Sequence, residues 1–299
     1  MKKVLITGSN GMIGQKLVEY ISKNQDFQLI ASSQSSNKIR YENNYQFVQL
    51  DITNYRKLKS VLFQHKPNIV INCAAIAQPD ACEKNKSDCW KINVEAVEDL
   101  VGFCNEIDAH FIHLSSDFVF DGENKNRIET DKTNPKSYYG LSKLEAEKIV
   151  IKKSKKWSIV RTILVFGFLP DLHRSNIVLL VKEMLETKKI FRPIDNQFRT
   201  PTLVDDLALA INEIAIRSAT GMYHIAGNDF MSIIELSEKV ADFFGLDKSL
   251  IIPISAKKLN EPAMRPLISS FDMKKANTDL DYKPHSFLEG LEILKNQMK

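Results

Sequence analysis

The chain of 299 residues has only four cysteines and two tryptophans, no long apolar run and no strong excess of charge. Each shortage removes a class of protein. Cys73, Cys82, Cys89 and Cys104 contain no C-x-x-C spacing, which argues against a zinc site and a disulfide scaffold and fits a reducing cytoplasm. The longest strongly apolar stretch, 69–77, is interrupted by Asn72 and is too short to span a bilayer, so no membrane association is expected. The first apolar run, Val4, Leu5 and Ile6, stops too soon for a secretory signal and reads as a buried strand. Lysine and arginine number 41 against 37 acidic residues, a formal net charge of +4. The one dense basic cluster, Lys152, Lys153, Lys155 and Lys156, follows a predicted helix and reads as a solvated face, so no nucleic-acid partner is expected. No acidic cluster matches a metal site, and no metal is expected.

What the sequence does have is alternation. Short β-branched runs at 3–7, 28–31, 47–50, 69–73, 110–115 and 158–162 read as strands, separated by helical patterns that include 13–23, 55–65 and 87–105. In the first helix Ile13, Leu17, Val18 and Ile21 recur near the helical period, so one stripe faces a sheet. The expected fold class is α/β: a Rossmann-like doubly wound parallel sheet with a smaller α/β substrate-binding domain. Residues 1–165 are assigned to the first domain. Residues 166–299 are assigned mainly to the second, with segments returning to the sheet. No Gly/Ser-rich linker separates them, which implies intimate packing around a cleft.

Thr7-Gly8-Ser9-Asn10-Gly11-Met12-Ile13-Gly14 sets three glycines between the first strand and the first helix. Such a turn lets backbone approach a pyrophosphate and aims a helix N-terminus at its charge, so Gly8, Asn10, Gly11, Met12, Ile13 and Gly14 are candidate dinucleotide contacts. Past the second strand, residues 31–40 carry no carboxylate to bind a ribose 2′-hydroxyl. Ser32, Lys38 and Arg40 there favour NADPH, with NADH as second choice. Asp51 and Ile52 after the third strand, and Cys73, Ala74 and Ala75 after the fourth, lie at the carboxyl edge where ligands of such sheets bind. Asp51 reads equally well as a helix N-cap.

Tyr139 and Lys143 stand four residues apart, hence on one face of a helix. A buried cation beside a phenol stabilises the phenolate and makes the hydroxyl a usable proton donor. Tyr138 competes for the role, but its partner four residues on is Ser142, which carries no charge. Beyond the fifth strand, Ser115 and Ser116 offer hydroxyls to a substrate carbonyl or simply turn the chain.

These motifs together resemble the dTDP-4-dehydrorhamnose reductase family of extended short-chain dehydrogenases/reductases. The matching segments are the glycine loop, Leu50-Asp51-Ile52-Thr53, Asn72-Cys73-Ala74-Ala75, Asn93-Val94, Ser115 through Gly122, Tyr139-Gly140-Leu141-Ser142-Lys143, Arg161-Thr162, Gln197 through Thr202, Asp206-Leu207-Ala208 and Arg265-Pro266. The resemblance implies Ser116, Tyr139 and Lys143 as catalytic residues, with Asn93, Tyr139 and Lys143 also at the cofactor. It implies Ser116, Asp117, Phe118, Gln197, Arg199 and Arg265 toward a nucleotide-sugar substrate, Arg265 because a guanidinium suits a pyrophosphate. Both arginines read equally well as ion-pair partners.

The activity so implied is NAD(P)H-dependent reduction of the 4-keto group of dTDP-4-dehydro-6-deoxy-L-mannose to dTDP-L-rhamnose, a precursor of cell-surface polysaccharide. A homodimer is usual for such enzymes. Three departures stand out: Ser116 where many members have threonine, Leu164 where some have tryptophan, and Asn196 in place of the motif aspartate. Two alternatives remain. One is a reductase or epimerase of another nucleotide sugar; the other is a binding protein similar to the regulatory subunit of methionine adenosyltransferase, which shares the Ser-Ser-Asp-x-Val-Phe-Asp-Gly segment.

Overall fold

Strands rich in β-branched residues on both faces need helices on both sides of a sheet, and the chain supplies them by alternation. The computed structural model describes residues 1–40, 44–170, 176–255 and 262–299. In chain order the strands are β1 (Lys2–Thr7), β2 (Phe27–Ser33), β3 (Tyr45–Gln49), β4 (Ile69–Asn72), β5 (His110–Ser116), β6 (Trp157–Thr162), β7 (Val165–Phe166), β8 (Phe198–Arg199), β9 (Thr202–Leu203), β10 (Gly221–Ile225), β11 (Met231–Ser232) and β12 (Ile268–Ser269). The helices are α1 (Met12–Ile21), α2 (Tyr55–His65), α3 (Pro79–Lys84), α4 (Lys86–Trp90), α5 (Ala96–Glu106), α6 (Tyr138–Lys153), α7 (Ile177–Glu186), α8 (Val204–Arg217), α9 (Ile233–Phe244), α10 (Lys274–Leu280) and α11 (Phe287–Gln297).

Seven strands form one sheet in the order β10-β6-β5-β4-β1-β2-β3, every pairing parallel. This is the doubly wound arrangement expected from the sequence. The six strands read from the sequence are all in it; the seventh, β10, returns from far along the chain. Side chains of β1 alternate between two cores, as a period of two requires. Val4 and Ile6 join Leu17, Val18 and Ile21 of α1 and Leu207, Ile211 and Ile214 of α8. Leu5 joins Leu58 and Leu62 of α2, Val97 and Leu100 of α5, and Ala146 and Val150 of α6.

A third core lies among α7, α9 and α11, where Val181, Leu236, Val240, Leu291 and Leu294 pack around Phe166 and Phe287. Small sheets accompany it: β11-β8-β12 and β7-β9. The segment expected as one helix over 87–105 is instead α4 and α5 joined by a π-helical turn, Lys91–Glu95. Strand order reverses at β1, between β4 and β2, so a crevice opens at their carboxyl ends.

Candidate active site

The glycine turn lies at that crevice because backbone must pass over backbone there. Gly8 has φ +68° and packs on the end of β4; a Cβ would stand 2.6 Å from the Ala74 nitrogen. A Cβ on Gly14 would stand 2.4 Å from the Gly8 carbonyl oxygen, so neither position has room for a side chain. Gly11 caps α1 without a side-chain hydrogen bond, leaving the first-turn amides free of an internal side-chain acceptor. A close-packed glycine cradle at a helix N-terminus fits a dinucleotide pyrophosphate. Met12 reaches from this turn toward the start of α7, 3.9 Å from the amide of its N-cap Asn176, which also donates to the Gly167 carbonyl at 2.7 Å.

The other candidate cofactor residues take different positions. Ser32 is fully buried, and its hydroxyl donates to the Ile6 carbonyl at 3.0 Å, inside the sheet. Lys38 and Arg40 are exposed on the segment after β2. Asp51 accepts from the Thr53 backbone at 2.9 Å, the Thr53 hydroxyl at 2.8 Å and the Gln34 amide at 3.0 Å. Partial burial works to raise its pKa, but these bonds hold the carboxyl below the usual carboxylate range. The N-cap of α2 is Asn54 rather than Asp51. Ile52 is buried beside it, while Cys73, Ala74 and Ala75 are half-buried under the glycine turn; Ile13 is half-buried against the first core.

Helix α6 carries the proposed chemistry. Ser137 caps it by accepting from the Gly140 nitrogen at 3.2 Å. Gly140 lets the helix meet the chain that follows β5, since a Cβ there would stand 2.2 Å from the Phe118 carbonyl oxygen. Tyr139 is thereby set edge-on to the Phe118 ring, centroids 5.3 Å apart. Tyr138 points elsewhere, toward Trp90 at 6.1 Å and beneath the Lys86 ammonium at 5.3 Å. Lys143 follows one turn after Tyr139 and is 3% exposed. Burial pushes its pKa down to about 8, with the Glu147 carboxylate pulling the other way.

Ser116 caps a short 3-10 turn, Asp117–Val119. Its hydroxyl donates to Asp117 Oδ1 at 3.0 Å and accepts from the Phe118 nitrogen at 3.3 Å. Burial pushes the Asp117 carboxyl up, against the attraction of Arg199. Ser115 faces the other way and donates to Glu147 Oε1 at 2.5 Å. Glu147 in turn accepts from Arg161 Nε at 2.9 Å and Nη2 at 2.7 Å, a bidentate pair almost wholly shielded from solvent.

Asn93, on the π-helical turn, forms a joint behind α6. Its amide donates to the Ile76 carbonyl at 3.0 Å and the Ser142 hydroxyl at 3.0 Å, and its oxygen accepts from the Ile76 nitrogen at 2.9 Å. Ser142 donates to the Tyr139 carbonyl at 2.7 Å. The loop after β4 and the turn bearing Tyr139 are thus fastened to one amide. On this π-turn Asn93 is turned inward, to 1% exposure. Thr7, Asn72 and His113 form a second buried chain, Thr7 donating to Asn72 at 2.6 Å and Asn72 donating to His113 Nδ1 at 3.2 Å. Burial, with Lys143 nearby, holds His113 well below its usual pKa and so neutral.

Just before β8, Gln197 is buried to 8% exposure, its backbone carbonyl accepting from the Ile233 nitrogen at 3.0 Å. Arg199 is 4% exposed and donates to the carbonyls of Phe198, Leu267 and Pro266, so its side chain ties β8 to the strand beside it. Arg265 pairs with Asp80 at the start of α3, Nη2 to Oδ2 at 2.7 Å, joining the C-terminal segment to the Rossmann side. Glu147 and Asp80 carry no signal in the sequence, whereas Gly140 and Ser142 do, by falling inside the tyrosine motif. Among the described residues no cluster of His, Cys, Asp or Glu could hold a metal ion, and no helix is long and apolar enough to cross a membrane.

A family model described as RmlD substrate binding domain matches residues 1–299. Methionine adenosyltransferase 2 subunit beta of Bos taurus is 27% identical, over 93% of this chain and 82% of that one. The dTDP-4-dehydrorhamnose reductase of Aggregatibacter actinomycetemcomitans is 27% identical over 99% of both chains. A crystal structure of dTDP-4-dehydrorhamnose reductase from Bacillus anthracis in complex with NADP superposes with a TM-score of 0.86 at 26% identity, covering 99% of this chain and 100% of that one. One from Clostridium acetobutylicum superposes equally well, TM-score 0.86, at 28% identity over 99% of both chains.

Proposed function

The chain belongs to the RmlD substrate binding domain family, and from that premise we propose that it is an NADPH-dependent reductase of a sugar nucleotide. The observation that carries this reading is the burial of Tyr139 and Lys143 on one face of α6, where the helix packs on the turn that Ser116 begins and Tyr139 lies edge-on to Phe118. The specific reaction proposed is reduction of the 4-keto group of dTDP-4-dehydro-6-deoxy-L-mannose to dTDP-L-rhamnose.

A nicotinamide dinucleotide, when bound, supplies a hydride for the carbonyl carbon. The rest is the protein's own work. Tyr139 gives its hydroxyl proton to the oxygen as negative charge develops there. Lys143 lowers the cost of that transfer by stabilising the phenolate left behind. Ser116, whose hydroxyl donates to Asp117, turns that hydrogen to the substrate oxygen; a carboxyl that burial pushes toward its neutral form releases it readily. Serine retains the hydroxyl of the threonine common at this position. Lys38 and Arg40 favour the 2′-phosphate of NADPH over NADH, and the similar dTDP-4-dehydrorhamnose reductase from Bacillus anthracis is in complex with NADP. Arg265 is proposed for the substrate's pyrophosphate, in exchange for Asp80.

The test is consumption of NADPH, compared with NADH, on adding enzymatically prepared dTDP-4-dehydro-6-deoxy-L-mannose to the purified protein. No turnover of this sugar, alongside turnover of another 4-keto nucleotide sugar, would reassign the substrate. The similarity to methionine adenosyltransferase 2 subunit beta supports a second reading, a binding partner of methionine adenosyltransferase. Absence of turnover together with co-purification of that enzyme would favour it.

Lys143 also sets a pH dependence. A lysine is cationic below its pKa, and here burial brings that value down to about 8. Turnover is therefore expected to fall as pH rises through about 8, where the ammonium beside Tyr139 loses its proton. A kcat profile that stays flat from neutral pH to beyond 9 would overturn this; roughly one pH unit above the pKa suffices to remove about nine-tenths of the charge.

A further inference from the structure

The turn that would hold the pyrophosphate and the segment that would meet the adenine ribose belong to different parts of the chain, yet one side chain joins them. Asn10 Nδ2 donates to the Ser35 hydroxyl at 3.0 Å and to the Ser36 carbonyl at 2.8 Å. Asn10 Oδ1 accepts from the Lys38 backbone nitrogen at 3.0 Å. Asn10 is itself anchored, its carbonyl accepting from the Gln15 amide at 3.1 Å. On either side of these contacts the segment is held by unrelated means. Gln34 is fixed by its bond to Asp51 at 3.0 Å and by Gln49, which donates to its carbonyl at 2.8 Å. Ile39 is 8% exposed and sits in the first core. Between those two anchors, residues 35–38 have Asn10 as their tie to the glycine turn.

We propose that Asn10 is a positioning residue for cofactor discrimination, holding the Ser35 hydroxyl and the Lys38 backbone where the 2′ substituent of an adenine ribose arrives. This rests on the dinucleotide reading above. The amide is well suited to the task because it offers two donors and an acceptor, and the segment presents two acceptors and a donor. Alanine at this position removes all three bonds. The pyrophosphate cradle of Gly8, Gly11 and Gly14 is left as it is, so the loss falls on the ribose end.

The experiment is direct binding, by calorimetry, of NADP+ and of NAD+ to Asn10→Ala, Lys38→Met and the double variant, without any sugar. Asn10→Ala is expected to weaken NADP+ by about tenfold and NAD+ by less than about threefold, the range of one to two modest hydrogen bonds. In the Lys38→Met background the same substitution is expected to cost NADP+ less than about threefold, because the cation it orients is gone. Thermal unfolding of each variant separates local loosening from global loss. Equal weakening of both nucleotides, a greater loss for NAD+, no loss for either, or full additivity in the double variant would overturn the proposal. A wild-type protein that binds neither nucleotide would overturn the cofactor reading itself, and this inference with it. Selective binding of NADP+ without any sugar turnover would leave Asn10's role intact while sinking the proposed reaction.

Discussion

Tyr139→Phe is expected to lower kcat by about 10²- to 10⁴-fold, the range lost when a positioned general acid is removed. Affinity for NADPH should change little, because the ring remains packed edge-on to Phe118 at 5.3 Å and only the hydroxyl is lost. Single-turnover measurement of NADPH oxidation, paired with nucleotide binding, reads both quantities. Retention of more than about a tenth of wild-type kcat would mean that another group delivers the proton. Tyr138→Phe is the control. Its ring lies by Trp90 and Lys86, and the variant should keep near-normal turnover.

The second large effect is on stability. Glu147→Ala removes the acceptor of three bonds, from Ser115 at 2.5 Å and from Arg161 at 2.9 and 2.7 Å. What it leaves behind is a guanidinium with 4% side-chain exposure and no carboxylate. Breaking such a buried pair costs about 3–5 kcal/mol, because the stranded charge has lost its solvent as well as its partner. The denaturant midpoint should fall with little change in slope. Replacing both members, Glu147→Leu with Arg161→Met, should recover much of that loss, since an apolar pair of similar volume carries no stranded charge. A single-variant loss below about 1 kcal/mol would show that other partners suffice for Arg161, for which the Glu129 carbonyl and His224 Nε2, each at 3.3 Å, are in reach. The pair also tethers β5, whose last residue is Ser116, to α6, which carries Tyr139 and Lys143, so turnover should fall along with stability.

Much of the sheet was legible because its inner strands β4, β5 and β6 are buried almost throughout, while its helices bury one face. Leu17, Val18 and Ile21 announce α1 by their period. Tyr139 and Lys143 announce themselves by spacing. Glu147 gives no such signal. α6 buries Ser142, Lys143 and Glu147 along with Leu144 and Val150, so its polar and apolar residues do not segregate, and one inward carboxylate looks in sequence like its half-buried neighbour Glu145. The π-turn at Asn93 is hidden for a related reason: one extra residue shifts the helical period by too little to register over the span of a single turn. β7, β8, β9, β11 and β12 are two residues each, too short for any alternation to show. The part played by Arg199 depends on carbonyls 67 and 68 residues away, which no local pattern encodes.

The position of β10 has a consequence for how the molecule comes into being. Its parallel partner β6 ends at Thr162, but β10 does not begin until Gly221. A nascent chain that has left the ribosome with β1 through β6 complete therefore presents β6 as an open edge, its amides and carbonyls unpaired on one side. The same chain still lacks α8, whose Leu207, Ile211 and Ile214 cover Val4, Ile6 and Val160. That interval exposes both a strand edge and an apolar face, the two surfaces from which misassembly starts. The sheet is thus finished only by the later chain, and the protein's vulnerable moment is the synthesis of the sixty or so residues that separate β6 from its outer neighbour.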